Sequence, residues 1–320
     1  MSNVLVVVEQ QNGNIEEVTF ELLGKGRELA DALGGQLAAV LLGSGVKELA
    51  GQLGAADKVL YVDHPNLANF NPDAHCAALT EVVKANQPAV TLVPYTSMGM
   101  DLASGVSAAL ELPLVSYGVD VAVKDGRLSV ISQLYGGKIN TESVVEGDSC
   151  VISVIAGSFP ADAGRKEGSP AVEEIAAPES VASPRVQFKQ LIEPEAGDVD
   201  ITQQEILVSV GRGIQSEENL PMAEELAQVL GGAVSASRPI VDNKWLPKTR
   251  QVGKSGVKVK PKLYLALGIS GAPEHIEGMK DSELIIAVNT DPNAPIFDYA
   301  HYGTTVDLFD LIPALTEKLK

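Results

Sequence analysis

Short runs of Val, Ile, Leu and Ala, each the length of one strand, alternate along most of this chain with longer segments whose apolar residues recur at helical spacing. That alternation is the strongest constraint on the fold, because strands without a polar face are stable only where helices cover both sides of a parallel sheet. The pattern predicts strands over residues 3–9, 36–42, 58–62 and 89–94, helices over 18–33, 72–87 and 98–110, and a short helix near 46–53. Beyond Pro113, strand-like pieces at 115–123, 128–133, 140–145 and 150–155 are joined by turn residues such as Lys124-Asp125-Gly126, which adds antiparallel strands to the sheet.

Residues 157–200 hold five prolines and many small and acidic residues without an apolar period, and their last part, through Glu193-Pro194-Glu195-Ala196-Gly197-Asp198, reads as a linker. The rhythm restarts with strands at 206–210, 233–236, 263–267 and 283–288 and helices at 218–230 and 308–319. The expected class is therefore α/β with two doubly wound domains. A nucleotide-binding-like domain spans 1–190, a linker or hinge 191–203, and a C-terminal parallel-sheet domain 204–320.

Charge separates the halves. Residues 1–200 carry 27 acidic and 12 basic side chains (12 − 27 = −15), whereas residues 201–320 carry 15 and 12 (12 − 15 = −3), which together make the net charge of −18. So acidic a chain does not bind nucleic acid or anionic membranes broadly. The second half is nonetheless locally basic. Arg238, Lys244, Lys248, Arg250, Lys254, Lys258, Lys260 and Lys262 stand within 25 residues against the single acid Asp242, a concentration that suits a nearby anion. Cys76 and Cys150 are far apart and lack metal-ligand spacing, so neither a disulfide framework nor a metal site is expected. The opening residues show no signal-peptide pattern, and a cytoplasmic protein without direct membrane insertion is expected.

Three glycine-bearing clusters stand in the second half, two of them directly after strands. Gly211-Arg212-Gly213 sits where backbone N–H groups and a helix N-terminus hold phosphates, although Ser216 replaces the third glycine of the dinucleotide fingerprint. Gly253-Lys254-Ser255 ends like a P-loop, but Lys248 occupies the required first glycine, which rules out an ATPase reading. Gly268-Ile269-Ser270-Gly271-Ala272-Pro273-Glu274-His275 permits close backbone approach by something flat or phosphorylated. Asn289, Asp291 and Asp307 follow later strand ends, the edge at which open α/β sheets bind ligands.

The runs VSVGRGIQSEENL, SASRPIVDNKWLPKTRQVGKSG, KLYLALGISGAPEHIEGMKDS and IIAVNTDPNAPIFDYAHYGTTVDLFDLIP closely resemble the FAD domain of electron transfer flavoprotein α subunits. The opening VLVVVEQ and the later YGGKINTESV resemble the same family more loosely, so the likeness covers essentially the whole chain. The resemblance implies FAD as cofactor. It implies that Arg212 and Ser237 help hold FAD, that Arg238 lies against the isoalloxazine ring, and that Val252, Gly253, Lys254 and Ser255 line the flavin, with the Ser255 hydroxyl in place of a family threonine near N5. Ser270, Gly271, Ala272, Pro273, Glu274 and His275 continue that implied site, His275 lying near the pyrimidine carbonyl, and Asn289, Asp307 and Leu308 complete the adenosine side.

On this reading no residue is catalytic. Arg238, Ser255, Glu274 and a protonated His275 tune the flavin, because the cofactor supplies the redox chemistry and the protein sets its potential. A unit charge about 5 Å away at an effective dielectric near 20 contributes roughly 3 kcal/mol, enough to set the direction of electron flow. Lys254 and Glu274 both replace family glutamines, and their opposite charges suggest a pair across the flavin edge. The implied function is a heterodimeric carrier with a β subunit, taking electrons from flavin dehydrogenases such as acyl-CoA dehydrogenases in fatty acid β-oxidation and passing them to a membrane quinone reductase. The alternative is a bifurcating, NADH-oxidising member with a second FAD in its β subunit. Against it, residues Leu114 to Asp120 do not match the TGLTAD-like stretch of that class.

Overall fold

The strand Val4–Val7 is buried along its whole length and lies between Leu37–Gly43 and Val90–Pro94, parallel to both, with Val4 level with Leu37 on one side and Val90 on the other. In this computed structural model, which describes residues 3–135, 137–166, 168–191 and 199–320, the chain divides into two units, Met1–Gln190 and Leu191–Lys320. The protein is α/β throughout, with a large mixed sheet in the first unit and a separate parallel sheet in the second. The sequence 193–198, read above as the end of a linker, lies outside the described residues.

The first unit is built on nine strands in the order Ala171–Ile175, Lys58–Asp63, Leu37–Gly43, Val4–Val7, Val90–Pro94, Cys150–Val154, Leu114–Lys124, Arg127–Leu134, Ile139–Val144. The first seven are parallel, and the last two are added by antiparallel pairings. The helices Glu17–Leu33, Pro72–Asn86 and Ser97–Leu110 begin and end where local chemistry demands. Asn71 and Thr96 accept the Ala74 and Gly99 amides at their N-termini, and Gly34, at φ +64°, ends the first in a left-handed cap.

Two readings of the sequence change here. Cys150–Val154 is not part of the antiparallel addition but an inner parallel strand between Val90–Pro94 and Leu114–Lys124, as its complete burial requires. Ala171–Ile175 lies inside the stretch read as aperiodic and extends the sheet at its far edge, alongside Lys58–Asp63. Glu173 and Glu174 leave the sheet towards water and pair with Lys58 at 3.1 Å and Lys47 at 2.6 Å, so the strand has no apolar alternation to betray it. Lys47–Gln52 is a 3-10 helix.

The second unit holds five parallel strands in the order Ala233–Ala236, Ile206–Val210, Leu263–Leu267, Leu284–Val288, Tyr302–Thr304. Tyr302–Thr304 is short and exposed, and the sequence pattern did not reveal it. The helices Leu220–Leu230 and Leu308–Leu319 cover one face through Leu226, Leu308 and Ile312. The other face is closed by Val252, Val259, Ile276 and Met279. Because the first strand in chain order lies between the second and third, the connections leave Ile206–Val210 and Leu263–Leu267 in opposite directions and open a crevice at their carboxyl ends.

Candidate functional site

That crevice is a cavity of about 720 Å³ formed entirely within the second unit, and its floor is made by glycine. Gly211 donates its amide to Leu267 O at 2.9 Å, and Gly213 donates to Gly268 O at 3.0 Å. A Cβ at Gly211 would stand 2.4 Å from Gly268 O, and one at Gly213 would stand 2.6 Å from Gly268 Cα. Only residues without a side chain let the two strand ends meet so closely.

One wall is the segment Gln251 to Gly256. Gly253, at φ +134°, turns the chain, and the Lys254 amide donates to Glu274 O at 2.7 Å, tying this loop to the short helix Pro273–Ile276. The Gln251 side-chain amide donates to Ser255 Oγ at 2.8 Å. On another wall the Asn289 side chain donates to Ile269 O at 2.8 Å, and Asp307 caps the helix Leu308–Leu319 by accepting the Phe309 amide at 3.0 Å. Ser237 is nearly buried and precedes the helix Arg238–Asp242, in which Arg238 Nε reaches Asp242 at 3.3 Å while most of its side chain faces solvent.

The residues that the resemblance assigns to FAD all line this cavity except Gly271 and Pro273, whereas Asp291, expected at the same sheet edge, does not line it. Gly271, at φ +85°, faces the Ile296 backbone, where a Cβ would come within 2.3 Å of Ile296 N, so its lack of a side chain serves packing between two loops. Pro273 opens the short helix and sets its φ. Gln251, Asp242, Gln215 and Thr290 join the lining unannounced, because no motif marks them and only the closed loops bring them in.

The electrostatics are more mixed than the basic stretch suggested. Arg212, Arg238 and Lys254 share the lining with Asp242, Glu274 and Asp307. His275 is 6% exposed, and burial pushes its pKa down to about 4, so at neutral pH it is uncharged rather than protonated. Its Nε2 lies 2.9 Å from the Tyr264 hydroxyl, and the Val252 backbone also stands against the ring.

The first unit has the corresponding crevice, between the ends of Val4–Val7 and Val90–Pro94. There the Thr96 hydroxyl donates to a Glu9 carboxylate oxygen at 2.6 Å, and burial raises the Glu9 pKa. A carboxyl group thus stands where an anion would need donors.

Comparison with known proteins agrees with this division. The electron transfer flavoprotein domain matches residues 4–180, and the electron transfer flavoprotein FAD-binding domain matches residues 200–280. Electron transfer flavoprotein subunit alpha of Syntrophomonas wolfei is 34% identical over 322 residues, covering 100% of both chains. Protein FixB of Clostridium saccharobutylicum is 36% identical, over 99% of this chain and 96% of its own. Acryloyl-CoA reductase electron transfer subunit beta of Anaerotignum propionicum is 35% identical, over 99% of this chain and 95% of its own. A glycine-floored cavity at the switch point of a parallel sheet, lined mostly by a segment that an FAD-binding domain matches, places this chain in the electron transfer flavoprotein α-subunit family, with FAD as its cofactor.

Proposed function

We propose that this chain is the FAD-holding subunit of a heterodimeric electron carrier, paired with a β subunit in the cytoplasm. It takes electrons from flavin dehydrogenases, such as the acyl-CoA dehydrogenases of fatty acid β-oxidation, and delivers them to a membrane quinone reductase. The observation that carries this reading is the contact between Gly211, Gly213 and Gly268. It leaves a backbone floor against which a diphosphate can lie without steric hindrance, beneath a cavity within the roughly 300–1,000 Å³ of small-molecule sites.

The donor set fits FAD. Arg212 and the Gly213 turn stand at the first strand end, Ser237 at the second and Ser270 at the third, so positive charge and hydroxyl donors converge on the diphosphate. Asn289, Asp307 and Leu308 bound the far end and take the adenosine half.

When bound, FAD supplies the electron acceptance and donation. The residues of this chain hold and tune it. Arg238 places a mobile positive charge at the cavity mouth, partly offset by Asp242, and favours added electron density. Ser255, held by Gln251, presents a hydroxyl of fixed orientation. His275, kept neutral by burial, offers a hydrogen bond without a full charge. Lys254 and Glu274 are joined through their backbones and bring opposite charges to one rim.

An anaerobic reductive titration of the complex co-purified with its β subunit, with flavin counted per heterodimer, tests the reading. One flavin taking up electrons in two resolved one-electron steps supports the shuttle. Two flavins, one of them reduced by NADH in a single two-electron step, overturn it in favour of a bifurcating enzyme.

A further inference from the structure

At the end of the strand Ile206–Val210 the chain makes one short turn, Arg212–Ile214, and then places Gln215 at φ +68°, ψ −44°. The Ser216 amide donates to Ile214 O at 2.8 Å across it, so Gln215 is the centre of a three-residue turn of the rare, strained hand that glycine tolerates best. Gln87 and Glu111 also have positive φ, but with ψ of 57° and 36° they are ordinary left-handed helix ends. The strain at Gln215 is held in place by its neighbours. Ile214 is fully buried, Gly213 is tied to Gly268, and the Asn219 side-chain amide donates to the same Ile214 oxygen at 2.9 Å. What the turn delivers is a side chain. Gln215 is exposed and lines the cavity with Arg212 and Gly213, and its carboxamide has no hydrogen-bond partner among the described residues. A residue that strains the backbone and whose side chain gives the fold no hydrogen bond in return is a feature of a binding site.

We propose that Gln215 is a cofactor-contacting residue, its side-chain amide donating to the diphosphate of FAD over the backbone floor made by Gly211, Gly213 and Gly268. A diphosphate offers only acceptors, and the cavity already sets Arg212, Arg238 and Lys254 against Asp242, Glu274 and Asp307. A carboxamide adds a donor there and leaves that balance of charge unchanged. This rests on the placement of FAD argued above.

The test uses the complex with its β subunit: FAD is stripped, the melting temperature of the apoprotein is measured, and FAD is titrated back. Gln215→Gly removes the amide and relaxes the turn, so the apoprotein should melt about 2–4 °C higher while FAD binds about tenfold more weakly. Gln215→Ala keeps the strain without the amide and should lose the same affinity with no gain in melting temperature. Gln215→Glu keeps the size and the strain but sets a carboxylate against the diphosphate. It should weaken FAD binding by about a further tenfold, and added salt should recover part of that loss. Native affinity in the glycine and alanine variants overturns the proposal, as does a glycine apoprotein that melts below the native one. Arg212→Ala separates this proposal from the reading it rests on. Affinity lost there but kept in the Gln215 variants overturns the role of Gln215 alone, whereas affinity unmoved in all of them overturns the placement of FAD in this cavity.

Discussion

Gln251, only 3% exposed, donates its side-chain amide to Ser255 Oγ four positions further along the loop, so the serine hydroxyl is an acceptor towards the loop and keeps its own proton for the cavity. Removing the amide frees that hydroxyl to rotate. Gln251→Leu is expected to weaken FAD binding about fivefold, close to the roughly 1 kcal/mol of one hydrogen bond. Ser255→Ala should do the same. Flavin binding titrations of both and of the double variant check the coupling: losses that add fully mean that the two residues act independently.

Gly268→Ala must place a methyl group 2.6 Å from Gly213 Cα at φ +64°, and Gly211→Ala must place one 2.4 Å from Gly268 O. Each is expected to destabilise the protein by about 2–3 kcal/mol and to abolish flavin retention. Gly231→Ala is the control, since its φ of +72° imposes the same backbone penalty but nothing lies within 4 Å of the added methyl. Melting temperature and the ratio of flavin to protein absorbance should show Gly231→Ala losing stability alone.

His75 and His275 are both buried with pKa values pushed down to about 4. In the unfolded chain each binds a proton below about pH 6.5, whereas the folded chain refuses it until about pH 4, so stability falls as pH drops through that window. Each contributes about 3 kcal/mol to the loss. Urea unfolding at intervals from pH 7 to 4 should show this slope, and His275→Gln should remove its share while leaving that of His75.

Arg238→Leu is expected to lower the flavin potential, and Asp242→Asn to raise it, because the two charges oppose each other at the cavity mouth. Both side chains are mostly exposed, so the shifts should be a few tens of millivolts and should shrink in about 1 M salt. A potential indifferent to Arg238 would place the ring elsewhere.

Glu274→Gln and Lys254→Gln bear on the rim. If the side chains pair when FAD is bound, the shift of the double variant should differ from the sum of the two single shifts. Strictly additive shifts, measured by redox titration, rule out the pairing.

Much of this site was legible because it is built from short local signals. Val208 to Gly213 and Leu265 to Ser270 each read as an apolar strand running into glycine, and the sheet order then brings the two together. The neutral state of His275 was not legible, since it depends on burial by segments far away in sequence. Nor was the contact of Tyr264 with His275, since Tyr264 as a sequence element is simply one residue of an apolar strand. Its partner Ser209 is 55 positions away and meets it only because Ile206–Val210 and Leu263–Leu267 pair in register. Gln251 was hidden in the same way, inside a loop whose closure places it.

The far edge of the first unit has a consequence for synthesis. Lys58–Asp63 leaves the ribosome 112 residues before Ile175, the last residue of the strand that covers it (175 − 63 = 112). At 5–20 residues per second the nascent sheet therefore presents a bare strand for about 6 to 22 s, long enough for another unfinished chain to pair with it. Lys58, on that strand, and Lys47, in the segment leading to it, carry unneutralised charge for just this interval. Glu173 and Glu174, which end it, arrive on the strand that closes the sheet.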